Sequence, residues 1–522
     1  MNVQSILNDV LGPVMRGPSS SHTAGSLRIG RMARMLLGGE PASALFRFDP
    51  AGSYARTYRE QGADLGFAAG LLGWDILDPR FPEALARAEA GGLTLEFREE
   101  RLEGLDHPNA VRLTVRSRDG SELAAAAAST GGGGFLFSEV DGHPVALDGK
   151  SHVLLVRAER GAASEAAASW QIRKGSIVRS RSERPDEDLW VFASGVPFEA
   201  ADVEFWKGRQ GLRAVRAAKA AYYVKKGEPL ASSGAELLRV ASRHHWSLGQ
   251  TALACESRLL GLSEEEATDE LLSRYRIMTA AVAEGLRGER LRLRFLEPSA
   301  RRVLDAEREG RLAVGGPHAR AAARALAVLH VANSGGVVCA APTGASSGVL
   351  PGVLTTLAEE RGLDERGIGL ALWAAGGAGL VVALRATFAA EVAGCQVEIG
   401  AAGAMAAAAC VEAAGGDAGR ALDAAAVSLQ NAMGSVCDLV QGACEIPCHT
   451  RNAAAASGAM TVADLVLGGY ANPVPLDETV DAVLATGRLL PCELRCTSKG
   501  GLALAPSALR LGGRLRPEKD GP

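Results

Sequence analysis

From about residue 233 onward the chain is rich in alanine, is punctuated by glycine and contains few aromatic side chains. Alanine is the strongest helix former, and small side chains let helices pack closely around a buried centre. We therefore predict that this half of the chain is mainly α-helical. The uncharged stretch from Gly367 to Leu384 has no apolar companion of similar length, so it is predicted to be a buried core helix rather than a membrane span.

Three cysteines of this half, Cys395, Cys437 and Cys448, lie 42 and 11 residues apart, each at a break marked by Gly or Pro. Soft thiolates that converge from separate segments suit an iron–sulfur cluster or zinc. Cysteines are also common as small buried apolar side chains, and the spacing alone leaves both interpretations open. Nine cysteines in 522 residues do not form a disulfide framework and fit a reducing cytoplasm.

The N-terminal part contains GPSSSHT at 17–23, between an apolar helix-like start and an amphipathic helix. Backbone N–H groups and hydroxyls at a helix start can bind a carboxylate. His22 is the one histidine with an obvious acid–base setting. The alternative is a capping loop with a solvated histidine.

Alternating apolar residues predict strands in the N-terminal part, for example at Val111, Leu113 and Val115. We therefore predict an α+β protein: an α/β domain at 1–150 and a helical, Ala-rich catalytic domain at 233–511. Residues 151–232 are predicted to be a linker or a degenerate regulatory module. Within this segment, the Lys- and Arg-rich run 205–226 is interpreted as a solvated helix face. Residues 512–522 are interpreted as a flexible tail.

The segments AGCQVEIG, VCDLVQGACEIPCHTRNA and LPCELRCTSKGGLALAPSAL resemble the catalytic part of the iron–sulfur L-serine dehydratases. GPSSSHT resembles the signature of the other part of that family, called the β chain where the enzyme has two subunits. The resemblance implies that β-type and α-type parts are fused here, and that a [4Fe–4S] cluster binds through Cys395, Cys437 and Cys448. It implies no pyridoxal phosphate, and the family often carries a regulatory βαββαβ module between the two parts.

The resemblance also implies a reaction, the β-elimination of a 2-amino-3-hydroxy acid to a 2-oxo acid and ammonia. The open iron would act as a Lewis acid on the substrate hydroxyl. His22 is the implied acid–base group, and Ser20 and Ser21 beside it are the other catalytic candidates. The candidate substrate contacts are Ser19, Thr23, Thr343, Gly344, Ser346, Ser347, Arg451, Asn452 and Lys499.

Several positions depart from the family pattern. Gln61 replaces a histidine that is a second acid–base candidate, and an amide cannot accept a proton near neutral pH. The segment 385–391 differs from the usual substrate-contact stretch, Leu439 replaces a proline, Cys444 is additional, and the last cysteine is Cys496. Three alternatives follow: a related lyase for cysteine, threonine or a modified amino acid, a zinc protein, and a non-catalytic homologue that binds a cluster or a metabolite.

Charge and the N-terminal segment suggest where the protein acts. The net charge of −4 is slight, no basic run suggests a nucleic-acid partner, and no secretory signal is visible at the start of the chain. We predict a cytoplasmic enzyme with a small-molecule amino-acid substrate and without a nucleic-acid or membrane partner. The family resemblance implies a homodimer.

Overall fold

The computed structural model describes residues 3–174, 177–183, 186–289 and 291–511, with the backbone alone for 171–174 and 177–183. These residues form a sheet-rich N-terminal region and a helical C-terminal region, which confirms the predicted α+β class. The predicted tail at 512–522 lies outside the described residues.

The N-terminal region is built on a sheet with α1 and α3 packed together beside it. Its elements are β1 (Val14–Arg16), α1 (Gly25–Leu37), β2 (Pro41–Phe48), α2 (Ser53–Thr57), α3 (Ala63–Leu71), α4 (Ala84–Ala90), β3 (Thr94–Glu99), β4 (Ala110–Ser117), β5 (Glu122–Gly131), β6 (Gly134–Val140) and β7 (His143–Leu147). In the described residues the sheet order is β3-β2-β4-β5-β6-β7, with β2 and β3 parallel and the other pairs antiparallel. Val111, Leu113 and Val115 are buried on β4, as their alternation predicted.

The middle region has the full element order βαββαβ. Its elements are β8 (His152–Glu159), α5 (Ser164–Lys174), β9 (Ile177–Glu183), β10 (Glu187–Ser194), α6 (Ala200–Lys207) and β11 (Leu212–Ala218), with antiparallel strands in the order β11-β8-β10-β9. Trp170, Phe192 and Trp206 form its core. The interpretation of 205–226 as one helix face is wrong, because α6 ends before Gly208 and the chain continues as β11 and then without helix.

The C-terminal region is helical, as predicted. Its helices are α7 (Gly234–His244), α8 (Leu248–Leu260), α9 (Glu264–Arg287), α10 (Ala300–Arg308), α11 (Gly316–Asn333), α12 (Val349–Arg361), α13 (Glu365–Arg385), α14 (Ala390–Ala393), α15 (Ile399–Ala413), α16 (Ala418–Ala432), α17 (Cys448–Leu467), α18 (Leu476–Leu489) and α19 (Pro506–Leu509), with one short strand, β12 (Val337–Cys339), between α11 and α12. Every residue of α15 from Ile399 to Val411 is buried. Alanine and glycine allow this helix to be surrounded on all sides.

Helix α13 is the one helix of the described residues that is long and apolar enough to cross a membrane by length and composition. Its most apolar window is 78% buried inside the structure, where it packs against α8 and α15. It therefore has the setting of a core helix, as its sequence predicted.

Two sets of contacts hold the start of the chain on the helical region. Strand β1 pairs antiparallel with β12. The carboxylate of Glu256 accepts hydrogen bonds from the backbone N–H groups of Ile6 and Leu7, both at 2.9 Å, and Arg274 donates to the carbonyl oxygen of Leu7 at 2.7 Å. The segment before β1 is thereby fixed against α8 and α9, and β1 itself against β12.

The close packing of α9 against α11 leads to a specific mutational prediction. A Cβ added at Gly285 of α9 would lie 2.0 Å from the carbonyl oxygen of Ala327 on α11, and a backbone atom cannot rotate away. We expect Gly285→Ala to lower the urea midpoint, with a destabilisation of roughly 1–3 kcal/mol. Gly458→Ala on α17 is the matched control, because nothing lies within 4 Å of its Cβ position. It should be neutral or stabilise by roughly 0.5–1 kcal/mol, and equal loss in both variants would contradict the packing argument.

Candidate active site

The segment GPSSSHT forms a π-helical turn, Ser20–Ala24, that leads directly into α1. Ser19 caps this turn, since its hydroxyl accepts a hydrogen bond from the backbone N–H of His22 at 3.3 Å. The turn packs against α1, α3 and β5, and His22 has no exposed surface. The alternative of a solvated histidine is therefore wrong.

Five polar side chains lie around the imidazole of His22, one of them Ser53, whose hydroxyl is 3.5 Å from Nε2. On its Nδ1 side lie the hydroxyls of Ser21 at 3.0 Å and Ser19 at 3.2 Å, and Oε1 of Glu391 at 3.8 Å. On its Nε2 side the hydroxyl of Thr57 lies at 2.8 Å. The histidine is thus held from both nitrogens by the N-terminal region, with one carboxylate contributed by the helical region.

The hydrogen-bond network assigns the proton of the neutral imidazole. The Ser21 hydroxyl donates to Oε1 of Glu391 at 2.8 Å, and the Thr57 hydroxyl donates to the backbone carbonyl four residues earlier, also at 2.8 Å. With those two protons placed, both ring nitrogens have a partner when Nε2 of His22 donates to Thr57 and Nδ1 accepts from Ser19, while the Ser21 oxygen lies 3.0 Å from Nδ1 without a proton to share. Nδ1 is then the basic nitrogen.

Burial lowers the pKa of His22 from its ordinary 6.5 to about 4, and the Glu391 carboxylate offsets part of this effect. The imidazole is therefore neutral at pH 7 and available to accept a proton. The ring of Tyr54 meets it edge to face, with the two centroids 5.1 Å apart. An aromatic wall of this kind keeps the imidazole away from water.

Glu391 lies on α14, four residues before Cys395. Its side chain is 3% exposed, and its Oε2 atom has no hydrogen-bond partner among the described residues. Its charge also acts on the pKa of three other groups, one of which is Tyr54, where it adds to the rise caused by burial. Burial raises the pKa of Glu398 well above the ordinary value and Glu391 adds to the rise, while burial lowers the pKa of His107 and Glu391 opposes that fall.

The three predicted cluster cysteines come from separate segments and are all buried. Cys395 begins a 3-10 turn after Gly394, whose φ of 78° favours glycine. Backbone hydrogen bonds join Cys437 to the segment around residue 495. The N–H of Cys437 donates to the Leu494 carbonyl at 2.8 Å. Cys448 is the first residue of α17.

Two further cysteines, Cys444 and Cys496, join these thiols. The Cys437 thiol hydrogen-bonds to the thiols of both Cys395 and Cys496, and these contacts, with burial, raise the pKa of Cys437 well above its ordinary value. The hydrogen bond from Cys437 has the opposite effect on Cys395, whose pKa is lowered. Cys444 hydrogen-bonds to Cys448, and that bond raises the pKa of Cys444.

Arg451 places a positive charge beside these grouped cysteine thiols. Its Nη1 lies 3.6 Å from Sγ of Cys395, and its Nη2 lies 3.1 Å from Oδ1 of Asp438. A neighbouring cation favours the thiolate form that metals bind. A cavity of about 270 Å³ borders both Cys395 and Arg451.

The donor set can be tested against a metal centre. Within the described part of the chain, no three or more His, Cys, Asp or Glu side chains are arranged to hold a single metal ion. A cluster distributes its thiolate ligands over several irons, so its ligands need not meet at one point. Buried thiols from three segments beside a guanidinium fit such a cluster, whereas the single-ion site that zinc requires is absent from the described residues.

The loop after β12 carries four of the predicted substrate contacts. Its hydroxyls mostly hold the loop itself: Thr343 Oγ1 and Ser346 Oγ are 3.0 Å apart, and the Ser347 hydroxyl donates to the carbonyl oxygen of Gly344 at 2.7 Å. A Cβ at Gly344 would lie 3.0 Å from the backbone nitrogen of Ser20. The structure therefore brings this loop and the His22 turn into direct contact.

Asn452 connects the same loop to α17. Its side-chain amide donates to the carbonyl oxygens of Ala345 at 2.8 Å and Cys448 at 2.9 Å, and its Oδ1 accepts from the N–H of Gly348 at 3.2 Å. All three contacts are to backbone. In this arrangement Asn452 positions the loop relative to Cys448.

Thr23 and Gln61 lie on the other side of the His22 turn. The Thr23 hydroxyl donates to the carbonyl oxygen of Gln61 at 2.8 Å. Gln61, which replaces the family histidine, is buried, and its amide donates to the Gly442 carbonyl at 3.3 Å and lies 3.9 Å from Sγ of Cys496. Gln61, the residue that differs from the family pattern, therefore lies beside the grouped cysteine thiols.

Lys499 is not brought together with the other predicted site residues. Its side chain is exposed, and it acts electrostatically on Glu493 at the surface. The remaining predicted residues converge from both regions of the chain.

Sequence reasoning missed Glu391, Thr57, Cys496 and Glu398 as neighbours of the site. Glu391 and Glu398 flank the GCQ motif in AEVAGCQVEIG, so their proximity to Cys395 was a readable signal. No local pattern linked Thr57 to His22 or Cys496 to Cys437, because those contacts join residues distant along the chain.

Comparison with known proteins agrees with this architecture. The profile of the serine dehydratase alpha chain family matches residues 200–503, more than half of the chain. A probable L-serine dehydratase alpha chain of Bacillus subtilis is 35% identical over 276 residues, which cover 53% of this chain and 92% of the relative.

Relatives of two further kinds extend the similarity. A probable L-serine dehydratase beta chain of Bacillus subtilis is 43% identical over 148 residues, covering 28% of this chain and 66% of the relative. An L-serine dehydratase of Streptomyces coelicolor is 34% identical over 283 residues, covering 52% of this chain and 60% of the relative. The chain therefore belongs to the L-serine dehydratase family of ammonia-lyase enzymes, with parts similar to the alpha and beta chains fused in one polypeptide.

Proposed function

We propose that this protein is a [4Fe–4S]-dependent lyase that converts a 2-amino-3-hydroxy acid, L-serine in the first instance, to a 2-oxo acid and ammonia. Family membership supports the reaction class. The observation that carries the proposal is the grouping of buried thiols from three segments and their connection to a buried, neutral histidine. The Ser53 hydroxyl lies 3.5 Å from Nε2 of His22 and donates to the carbonyl oxygen of Cys496 at 3.1 Å.

Cys395, Cys437 and Cys448 would hold the cluster, and Arg451 would offset part of its negative charge. When bound, such a cluster supplies an open iron as a Lewis acid that polarises the substrate hydroxyl. Cys444 and Cys496 lie in the same thiol group and are additional soft donors near it. No residue in the proposed site is assigned to pyridoxal phosphate.

His22 is the proposed base that removes the α-proton. Its Nδ1 atom accepts the proton in place of the hydrogen bond from Ser19, and the imidazolium that forms has the Ser21 hydroxyl and Glu391 at 3.0 and 3.8 Å from Nδ1. A carboxylate at this distance stabilises the imidazolium that forms, so that a histidine with a pKa of about 4 can still accept a proton. The Ser21 hydroxyl links the imidazole of His22 to the carboxylate of Glu391 by hydrogen bonds.

The substrate carboxylate is proposed to lie between the His22 turn and the loop after β12. Ser19 and Ser20 border this space on one side, and Thr343, Gly344, Ser346 and Ser347 on the other, with Arg451 proposed as the cation. Small residues at the contact of the two loops leave the backbone N–H groups available to an anion. Asn452 keeps the second loop in place, and Lys499 is proposed only as a surface residue that helps to attract an anionic substrate.

Gln61 cannot act as the second acid–base group. His107 is an imidazole of the described residues whose pKa also responds to Glu391, and it is half-buried. We therefore assign any second proton transfer to His107 or to water rather than to position 61.

The test is turnover by protein purified without oxygen. Release of ammonia and a 2-oxo acid from L-serine is expected, with L-threonine, L-cysteine and L-alanine assayed in parallel. Alanine has no leaving group and should give no product. A fully loaded protein that releases ammonia from none of the three reactive amino acids would contradict the proposal and favour the non-catalytic homologue. A strong preference for threonine or cysteine would favour the related lyase.

The cytoplasmic location and the homodimer remain predictions.

A further inference from the structure

The residues assigned so far leave the α-ammonium group of the substrate without a partner. Hydroxyls, backbone N–H groups and Arg451 suit a carboxylate, and a cation moved from water to a buried site needs an anion or several acceptors. Four buried carboxylates of the described residues lie near the thiols: Glu391, Glu398, Asp438 and Glu445. Asp438 lies 3.1 Å from Arg451, and Glu445 accepts hydrogen bonds from backbone N–H groups, which leaves Glu391 and Glu398. Burial and the neighbouring Glu391 favour the neutral form of Glu398. Glu391 is the carboxylate that contacts the His22 turn, through the Ser21 hydroxyl.

The two oxygens of Glu391 are in different situations. Oε1 accepts the hydrogen bond of Ser21 at 2.8 Å, whereas Oε2 is buried and has no partner in the described part of the chain. A buried carboxylate oxygen without a partner costs free energy in the free protein. It is a site in which a cationic ligand group can supply the missing hydrogen bonds.

The carboxylate that carries the free oxygen lies beside the proposed base. Oε1 of the same carboxylate is 3.8 Å from Nδ1 of His22. In a 2-amino acid the α-carbon is bonded directly to the ammonium nitrogen. An ammonium group on Oε2 therefore brings the α-carbon and its proton next to Nδ1.

A second unpaired polar group lies on a neighbouring element. The side chain of Asn109 is fully buried, and neither its oxygen nor its nitrogen has a hydrogen-bond partner in the described residues. The carbonyl oxygen of Asn109 accepts from the N–H of Ser129 on β5, and Ser129 in turn reaches Tyr54 at the His22 turn. Asn109 is thereby connected through Ser129 and Tyr54 to the surroundings of His22. An unpaired buried amide there can serve a polar ligand.

We propose that Glu391 binds the α-ammonium group of the substrate, that Asn109 contacts a polar group of the same ligand, and that Glu391 thereby selects 2-amino acids over 2-hydroxy acids. The inference rests on the proposed function for the identity of the site. It adds the part of the substrate that the cluster and the two loops do not recognise.

The probes are L-alanine and L-lactate, which differ only in having an ammonium or a hydroxyl at the α-carbon. Neither has a β-leaving group, so binding can be measured by calorimetry on the loaded enzyme without turnover. The wild type should prefer alanine, and Glu391→Gln should weaken alanine binding about 10- to 100-fold while changing lactate binding less than about threefold. Equal weakening of both ligands, or no preference in the wild type, would overturn the inference.

Two other variants separate recognition from folding. Glu391→Asp keeps the charge on a shorter side chain and should retain part of the preference for alanine. Asn109→Leu replaces an unpaired buried amide by an apolar group of similar size, so it should weaken alanine binding without lowering the urea midpoint. A loss of stability with unchanged binding would show that Asn109 has a structural role only.

Glu445→Gln is the matched control. Glu445 is also buried, but its two oxygens accept the backbone N–H groups of residues 294, 295 and 296. Its replacement should lower stability and leave the alanine-to-lactate preference unchanged. The two proposals can fail separately: a wild type that prefers alanine but releases no ammonia from serine would contradict the lyase alone, and an active enzyme whose Glu391→Gln variant keeps the preference would contradict this inference alone.

Discussion

Replacement of Cys437 by alanine is expected to remove iron, acid-labile sulfide and activity together from protein purified without oxygen. The wild type should contain about four irons and four sulfides per chain. Cys437 is the most connected thiol, because it contacts both Cys395 and Cys496. We expect kcat/KM to fall at least about 10³-fold, equivalent to roughly 4 kcal/mol of transition-state stabilisation. Cys395→Ala and Cys448→Ala should behave in the same way.

Cys410→Ala is the control for this series. Cys410 is fully surrounded on α15 and lies outside the thiol group, and burial raises its pKa to about 12, as expected for a core thiol. Iron, sulfide and activity should stay within about twofold of the wild type, at a cost in stability of roughly 1 kcal/mol. Full iron content in Cys437→Ala, or bound zinc in place of iron in the wild type, would contradict the cluster assignment.

His22→Asn should lower kcat by about 10²- to 10⁴-fold, the usual range for removal of a general base. The amide preserves hydrogen bonding at the turn but cannot accept the α-proton. Iron and sulfide should be unchanged, because His22 contacts none of the cluster cysteines in the described structure. This separates the variant from the cysteine series. His244→Asn, an exposed histidine on α7, should leave kcat unaltered.

The pH dependence gives a second check on His22. Because its pKa in the folded protein is about 4, kcat/KM should stay level as the pH falls to about 5 and decrease below that value. The unfolded chain binds this proton more tightly than the folded protein between about pH 6.5 and 4, so the free energy of unfolding should also decrease as the pH falls through this window. An acid limb of kcat/KM centred near pH 6.5 would contradict the buried, neutral histidine.

Periodicity and composition were sufficient for the architecture. Alternation at Val111, Leu113 and Val115 marks a strand in which one face is buried, and the Ala-rich helices follow from propensity and small size. The middle region was harder to interpret, because its charged residues cover the surface of a small sheet whose core is aromatic. The run 205–226 was misread since Lys and Arg occur on exposed strand and loop positions as readily as on a helix.

The site could be predicted only where a motif lies on a continuous segment. Spacing and resemblance placed Cys395, Cys437 and Cys448 in one hypothesis, and the structure groups their thiols. The contact between Glu391 and His22 joins residues that are far apart along the chain, and no local sequence pattern predicts it. Lys499 illustrates the converse error, because a polar residue inside a matching motif can still project to the surface.

The pairing of β1 with β12, and the hold of Glu256 and Arg274 on the first turn, have a consequence for assembly. They join the half that carries the histidine to the half that carries the thiols. Separate alpha and beta chains would have to form such contacts between molecules, at a rate and yield set by their concentrations. Here the middle region connects the two halves in one polypeptide, so the second half encounters the first within the same molecule. Every chain that folds therefore carries both halves in equal number, and dilution cannot separate the base from the thiols.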